Sequence, residues 1–273
     1  MVHKLHYLAY QLGQSIEMIN NIKRMAEKGQ KALGTFFELG GSAAAECLGI
    51  AGLDFLIIDT EHGPYDVESA LIAVLAADRR EITPFVRIKD PTRPSVLKML
   101  DIGAKGLVVP YIQTKEEVER LVEYAKYYPL GRRGFAPSVA GAYGYADFAR
   151  DTQTYFETSN SQTLLIPQCE TLGCLERIEE IASMEGVDGI FIGPYDLSIA
   201  LGKPARMDNP ELIDAIRHVL KVCKANGKIS MIFAGKAETA RDFFDQGFDC
   251  VACGLDVVFL IEAYKSLIAQ VKG

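Results

Sequence analysis

The chain has 273 residues, 49% of them hydrophobic and 24% charged, with 36 acidic against 29 basic side chains and a formal net charge of −7. This is the make-up of an ordinary globule able to bury a large core, and an acidic balance with no basic stripe argues against nucleic acid and anionic membranes as partners. No apolar run reaches the ~18 residues of a membrane-spanning helix, and residues 1–28 interrupt any signal-like core with His3, Lys4, Gln11, Glu17, Lys23, Arg24 and Glu27, so the expectation is a cytoplasmic protein with no membrane contact.

Along the chain, apolar and partly β-branched runs alternate with helix-like stretches. A helix over 15–28 comes first, within an N-terminal extension covering 1–30. Strands are then expected at 32–37, 55–59, 83–88, 106–110, 163–166, 189–192, 229–233 and 250–253. None of them alternates polar with apolar, as befits strands buried on both faces. Helices are expected at 42–50, 67–77, 94–102, 115–127, 172–183, 210–225, 237–246 and 257–271, several of them stopping at a glycine (Gly103, Gly227, Gly247). Eight strands in continuous alternation predict an α/β fold, a (β/α)8 TIM barrel with an extra N-terminal helix closing its bottom, and one catalytic domain over 31–273. A doubly wound open sheet is the competing architecture, but Leu39-Gly40-Gly41-Ser42 is a poor dinucleotide-binding turn. Between 128 and 161 the rhythm breaks into a Gly-, Ala- and Tyr-rich segment, read as a long substrate-facing loop over the active face.

Chemistry-bearing residues fall at strand ends. Strand two ends in Asp59-Thr60-Glu61-His62, where His62 suits a general base near neutral pH and Asp59 could orient it. Strand three carries Arg87, which inside an apolar strand must find an anion, either a structural carboxylate or a substrate oxygen. Asp101 sits in the last turn of helix three, where an acid opposes the helix dipole and a solvated role is the plain reading. Glu170 follows strand five in Pro167-Gln168-Cys169-Glu170, and Asp196 follows strand six in Gly193-Pro194-Tyr195-Asp196-Leu197-Ser198. Taken singly, each is explained as a solvated loop acid or a helix cap. As a pair at successive strand ends they form a hard-oxygen set suited to Mg²⁺ or Mn²⁺. Cys250-Val251-Ala252-Cys253 lies along a strand with no second Cys or His pair to complete a zinc site, so the six cysteines read as reduced, mostly buried thiols. No lysine lies inside the fourth or sixth strand, which disfavours a Schiff-base aldolase.

In this order, Asp59-Thr60-Glu61-His62, Val86-Arg87, Leu100-Asp101-Ile102-Gly103, Gln168-Cys169-Glu170 and Gly193-Pro194-Tyr195-Asp196-Leu197-Ser198 resemble the HpcH/HpaI aldolase family over about residues 30–270. The resemblance implies a class II aldolase, a carbon–carbon lyase that reversibly cleaves a 4-hydroxy-2-oxoacid to pyruvate and an aldehyde through a metal-stabilised enolate. It implies Glu170 and Asp196 as ligands of a divalent metal (Mg²⁺ or Mn²⁺, with Co²⁺ a further candidate) and no organic cofactor. Catalytic roles would fall to His62, Asp59, Arg87 and Asp101, the last reaching a neighbouring subunit's site. Arg87, Gln168, Pro194 and Ser198 would line the pyruvate pocket. It also implies a homo-oligomer, a hexamer built as a trimer of dimers. A decarboxylase of an oxaloacetate-like acid, or an acyl-CoA lyase of the citramalyl or malyl type, is the alternative on the same chemistry. The stretch Arg133-Gly134-Phe135-Ala136-Pro137-Ser138 matches no known acceptor preference, so the aldehyde partner is left open.

Overall fold

Strands that are mostly apolar and buried along their length need cover on both faces, and a closed parallel barrel inside a ring of helices supplies it. The computed structural model describes residues 17–273. In chain order it has α1 (Asn21–Glu27), β1 (Ala32–Phe37), α2 (Ser42–Ala51), β2 (Phe55–Asp59), α3 (Val67–Arg79), β3 (Thr83–Arg87), α4 (Arg93–Asp101), β4 (Gly106–Val109) and α5 (Lys115–Ala125). There follow α6 (Thr152–Gln162), β5 (Leu164–Cys169), α7 (Leu172–Glu176), α8 (Ile178–Ser183), β6 (Gly189–Ile192), α9 (Pro194–Ala200), α10 (Pro210–Ala225), β7 (Ile229–Ala234), α11 (Ala237–Gln246), β8 (Cys250–Leu255) and α12 (Asp256–Lys272). The strands close in sequence order, β8 pairing back to β1, all in parallel. The expected TIM barrel is present.

Strand periodicity sorts the core into two layers. Phe36, Phe55, Ile57, Phe85, Val108, Leu164, Ile166 and Phe191 fill the barrel interior. Their neighbours in sequence, such as Phe37, Leu56, Ile58, Val86, Leu107 and Leu165, pack outward against the helices. Ile22 of α1 joins the interior cluster, with Met25 and Ala26 beside it, so α1 plugs the barrel bottom as expected. The side chain of Asn20 caps α1 by accepting from the Lys23 N–H, and its own amide donates to the Lys105 and Gln162 carbonyls. Residues 15 and 16 of the expected helix, and most of the 1–30 extension, lie outside the described residues.

Three expectations are corrected. β5 runs to Cys169, three residues beyond its expected end, because Pro167 stays in the parallel register opposite Val109 of β4. The 128–161 segment is not one long loop. It holds two short 3-10 turns, Val139–Gly144 and Asp147–Ala149, and then α6. Asp151 starts α6 by accepting the Thr154 N–H at 2.8 Å. Tyr155 and Phe156 then pack with Tyr127 and Phe135 into an aromatic cluster, and Phe148 stacks on Tyr155. Helix 172–183 is likewise broken at Arg177 into α7 and α8.

Candidate active site

The inward face of each strand carries every second residue, and at the C-terminal mouth that face turns from apolar to charged. Ala32, Gly34 and Phe36 lead to Glu38; Phe55 and Ile57 lead to Asp59; Phe85 leads to Arg87; Leu164 and Ile166 lead to Gln168 and Glu170. The parallel register of β2 and β3 sets Asp59 opposite Arg87. Arg87 donates from Nε to Asp59 Oδ1 at 2.9 Å and from Nη2 to Oδ2 at 2.6 Å, a bidentate pair with both side chains buried. Glu61 adds a second carboxylate 3.3 Å from Arg87 Nε, and the guanidinium lies 4.6 Å over the Phe36 ring. Burial works against the Arg87 charge, but Asp59, Glu61 and Glu170 outweigh it and hold its pKa above the ordinary value. Nη1 makes no hydrogen bond within the described residues, which leaves one edge of the fork for a ligand.

Glu170 lies just past β5, almost wholly buried, and accepts the Tyr111 N–H at 2.6 Å and the Gln168 side-chain amide. Desolvation drives its pKa up to about 7; the Tyr111 N–H opposes this, and the Asp196 and Glu61 carboxylates add to it. Asp196 is in the first turn of α9, whose N-terminus is set by Pro194. Gly193 separates the two acids: a Cβ there would lie 2.8 Å from Glu170 Oε2 and 2.9 Å from Gln168 Nε2, so only glycine leaves the cradle open. Gln168 Oε1 is buried with no hydrogen-bond partner.

Two adjoining cavities open at this mouth, of about 260 and 420 Å³, and both are lined by His62, Arg87 and Asp196. Glu38, Gln168 and Pro194 face the first, and Glu61, Tyr111 and Glu170 the second. The structure thus brings together His62, Arg87, Gln168, Glu170, Pro194 and Asp196. Two expected site residues, Asp59 and Ser198, are placed otherwise. Asp59 does not touch the His62 imidazole: it grips Arg87 and accepts the backbone N–H groups of Glu61 and His62 at 3.1 and 3.4 Å, fixing the turn rather than the ring. The carboxylate nearest His62 Nε2 is Glu61, at 4.0 Å. Ser198 faces neither cavity; its hydroxyl donates to the Tyr195 carbonyl at 2.6 Å and accepts the Ala205 N–H at 2.9 Å, which closes α9. Asp101, expected to reach a neighbouring subunit's site, lines neither cavity of its own chain and is ion-paired at 2.8 Å with Arg133, whose guanidinium stacks on Tyr127. The 128–161 segment likewise lines neither cavity among the described residues. Glu38, Glu61, Tyr111 and Phe36 were not anticipated as site residues; extending the inward alternation of β1 by one step finds Phe36 and Glu38.

The donor set fits a divalent cation. Two carboxylates with hard oxygens converge, one with its charged form disfavoured until a cation arrives, and Mg²⁺-type sites commonly use one or two protein carboxylates with substrate and water completing the shell. Among the described residues no group of three or more His, Cys, Asp or Glu side chains is arranged to hold a metal ion without such help.

A closed parallel barrel with acids and an arginine at its C-terminal mouth is the architecture of a (β/α)8 enzyme. The chain belongs to the HpcH/HpaI aldolase/citrate lyase family, whose profile matches residues 33–263, and is a carbon–carbon lyase. It is 32% identical over 254 residues to the hydroxypyruvate/pyruvate aldolase of Roseobacter denitrificans, covering 93% of this chain and 98% of that one. It is 34% identical over 250 residues to the 5-keto-4-deoxy-D-glucarate aldolase of Escherichia coli O139:H28, covering 91% and 95%. Among solved structures, a HpcH/HpaI aldolase/citrate lyase family protein from Burkholderia cenocepacia superposes with a TM-score of 0.85 at 30% identity, covering 93% of this chain and all of that one. No helix of the described residues is long and apolar enough to cross a membrane.

Proposed function

We propose that the chain reversibly cleaves a 4-hydroxy-2-oxoacid to pyruvate and an aldehyde, with Mg²⁺ or Mn²⁺ held by Glu170 and Asp196. The observation that carries this is the convergence of Glu170, Asp196, Gln168 and Arg87 on one mouth whose described lining contains no lysine, a set made for an enolate and not for a Schiff base. The cation would supply Lewis acidity toward the 2-oxo oxygen as negative charge develops there. Arg87, held rigid by Asp59 and Phe36, offers its free edge to the same oxygen. Gln168 presents its unpartnered carbonyl oxygen and Pro194 an apolar edge to the pyruvate half. His62, exposed at the cavity rim beside Glu61, holds and returns the proton of the 4-hydroxyl.

The same reading extends to assembly as a homo-oligomer, a hexamer on the family pattern. α12 buries only Asp256 and leaves Phe259, Ile261, Leu267, Ile268 and Val271 more than half exposed, a surface that a second copy would cover. The activity is tested by pyruvate release from a panel of 4-hydroxy-2-oxoacids and oxaloacetate, using chelator-stripped protein with and without Mg²⁺ or Mn²⁺. Metal-dependent pyruvate with an equimolar aldehyde supports the lyase. Turnover of oxaloacetate alone would replace it with a decarboxylase.

A further inference from the structure

Glu38 has no part in the chemistry above, yet it lines the smaller cavity with Arg87, His62 and Asp196. It follows β1, which stands four strands from β5 in the closed ring, so its carboxylate faces the pyruvate side from across the barrel. Its place is fixed by the backbone. The N–H groups of Glu38 and Leu39 donate to the two oxygens of the buried Asp256 at 2.9 and 3.1 Å. Its side chain, by contrast, makes no hydrogen bond or ion pair within the described residues. Partial burial, with Asp59 and Asp256 nearby, raises its pKa, and Arg87 and His62 pull the other way.

Among the described residues that line the two cavities, the only side chains able to carry positive charge are Arg87 and His62. Arg87 is committed to Asp59 and Glu61, with its remaining edge claimed by the pyruvate half. Lys236 stands in the neighbouring cavity, beyond the Tyr195–Phe233 ring pair. A short acceptor reaching across from pyruvate therefore meets a carboxylate with open hydrogen-bond sites and no spare cation. We propose that Glu38 is a specificity-determining residue that selects short, uncharged hydroxyaldehydes as the aldehyde partner and rejects carboxylated ones. An acceptor hydroxyl donates to Glu38, while an acceptor carboxylate is repelled and left unpaired. In the condensing direction pyruvate gives up a methyl proton, its C3 electron pair bonds to the aldehyde carbon, and the aldehyde oxygen takes up a proton; nothing is oxidised or reduced.

This inference rests on the proposed pyruvate lyase activity, so its test reads the two separately. Exchange of the pyruvate methyl protons with deuterated solvent, followed on metal-loaded enzyme, reports the pyruvate half. The kcat/KM for condensation is then measured with glycolaldehyde and with glyoxylate, two-carbon partners that differ in charge. In Glu38→Gln and Glu38→Ala, the glyoxylate-to-glycolaldehyde ratio is expected to rise about tenfold or more over wild type, the scale of one uncompensated like charge in a half-buried pocket. Comparing ratios between proteins cancels the intrinsic reactivities of the aldehydes. In wild type alone, added salt is expected to raise the same ratio by screening the repulsion, which keeps the test alive should both variants misfold. Exchange with an unmoved ratio in folded variants, or a wild-type ratio that falls with salt, overturns the role of Glu38. Loss of exchange and condensation in wild type overturns the lyase reading itself.

Discussion

The sharpest test of the Glu170–Asp196 site is a single methyl group at Gly193. A Cβ there would sit 2.8 Å from Glu170 Oε2, 2.9 Å from Gln168 Nε2 and 3.2 Å from Glu170 Cβ. To regain an ordinary 3.4 Å contact the carboxylate must withdraw by about 0.6 Å. Metal–oxygen distances tolerate only about 0.2 Å, so the displaced oxygen leaves coordinating range. Gly193→Ala is therefore expected to weaken Mn²⁺ binding on the order of 100-fold, or ~2.7 kcal/mol, at the upper end of what misplacing a ligand costs. The backbone raises no objection, because φ at Gly193 is −97°. The overpacking should cost ~1–3 kcal/mol of stability and leave the barrel folded. Calorimetric titration of chelator-stripped protein with Mn²⁺ measures the affinity, and a melting curve on the same sample verifies the fold. Wild-type affinity in a folded Gly193→Ala protein would show that Glu170 does not ligate from this cradle.

The raised pKa of Glu170 predicts a pH signature in metal-free protein. An acid whose folded pKa lies at about 7 destabilises the fold as pH rises from ~4.3 to 7, with the full cost, on the order of 3 kcal/mol, present above pH 7. Glu170→Gln should remove that slope, so metal-free melting temperatures of the two proteins should diverge with rising pH; parallel curves would refute the burial argument. Asp59→Asn strips a buried guanidinium of its bidentate partner and leaves only Glu61, which predicts a loss of ~3 kcal/mol in urea unfolding and a raised KM for pyruvate. A loss below ~1 kcal/mol would mean that Glu61 suffices. For assembly, Leu260→Glu with Ile268→Glu on α12 should convert an oligomer to monomers by light scattering, and an unchanged mass would place the contact elsewhere.

Most of the barrel was legible because buried parallel strands advertise themselves as unbroken apolar runs, and the acids of the candidate site were legible because they stand just past those runs. What failed to show did so for physical reasons. Pro167 reads as a strand terminator, yet its missing N–H is tolerated and β5 continues to Cys169. α6, with the sequence Thr-Gln-Thr-Tyr-Phe-Glu-Thr-Ser-Asn-Ser-Gln, is poor in helix formers and is held by the Asp151 cap and the aromatic packing of Tyr155 and Phe156, neither of which a propensity scale registers. The need of Arg87 for an anion was evident, but its choice of Asp59 over a substrate depends on the β2–β3 register, which pairs residues 28 positions apart. For the same reason Asp59, read as an orienter of His62, was already taken.

The charge inventory of the mouth sets the candidate site apart from an arrangement built for stability. Asp59 and Arg87 cancel one another, so Glu38, Glu61, Glu170 and Asp196 stand around the two cavities against a single exposed histidine. Carboxylates gathered at a partly desolvated mouth disfavour the folded state, as the raised pKa values of Glu38, Glu61 and Glu170 register. If the cluster were merely structural, replacing any one of these acids by its amide should be neutral or unfavourable, since it would remove a useful contact. Within the described residues the Glu38 side chain has no hydrogen-bond or ion-pair partner, and the charged form of Glu170 is at odds with its burial. Protonation of Glu170 relieves that strain below about pH 7, and above it a cation on the Glu170–Asp196 side would do so. Metal would thus neutralise the pyruvate wall while the acceptor wall stays negative, and the two halves of one pocket would select oppositely charged chemistry.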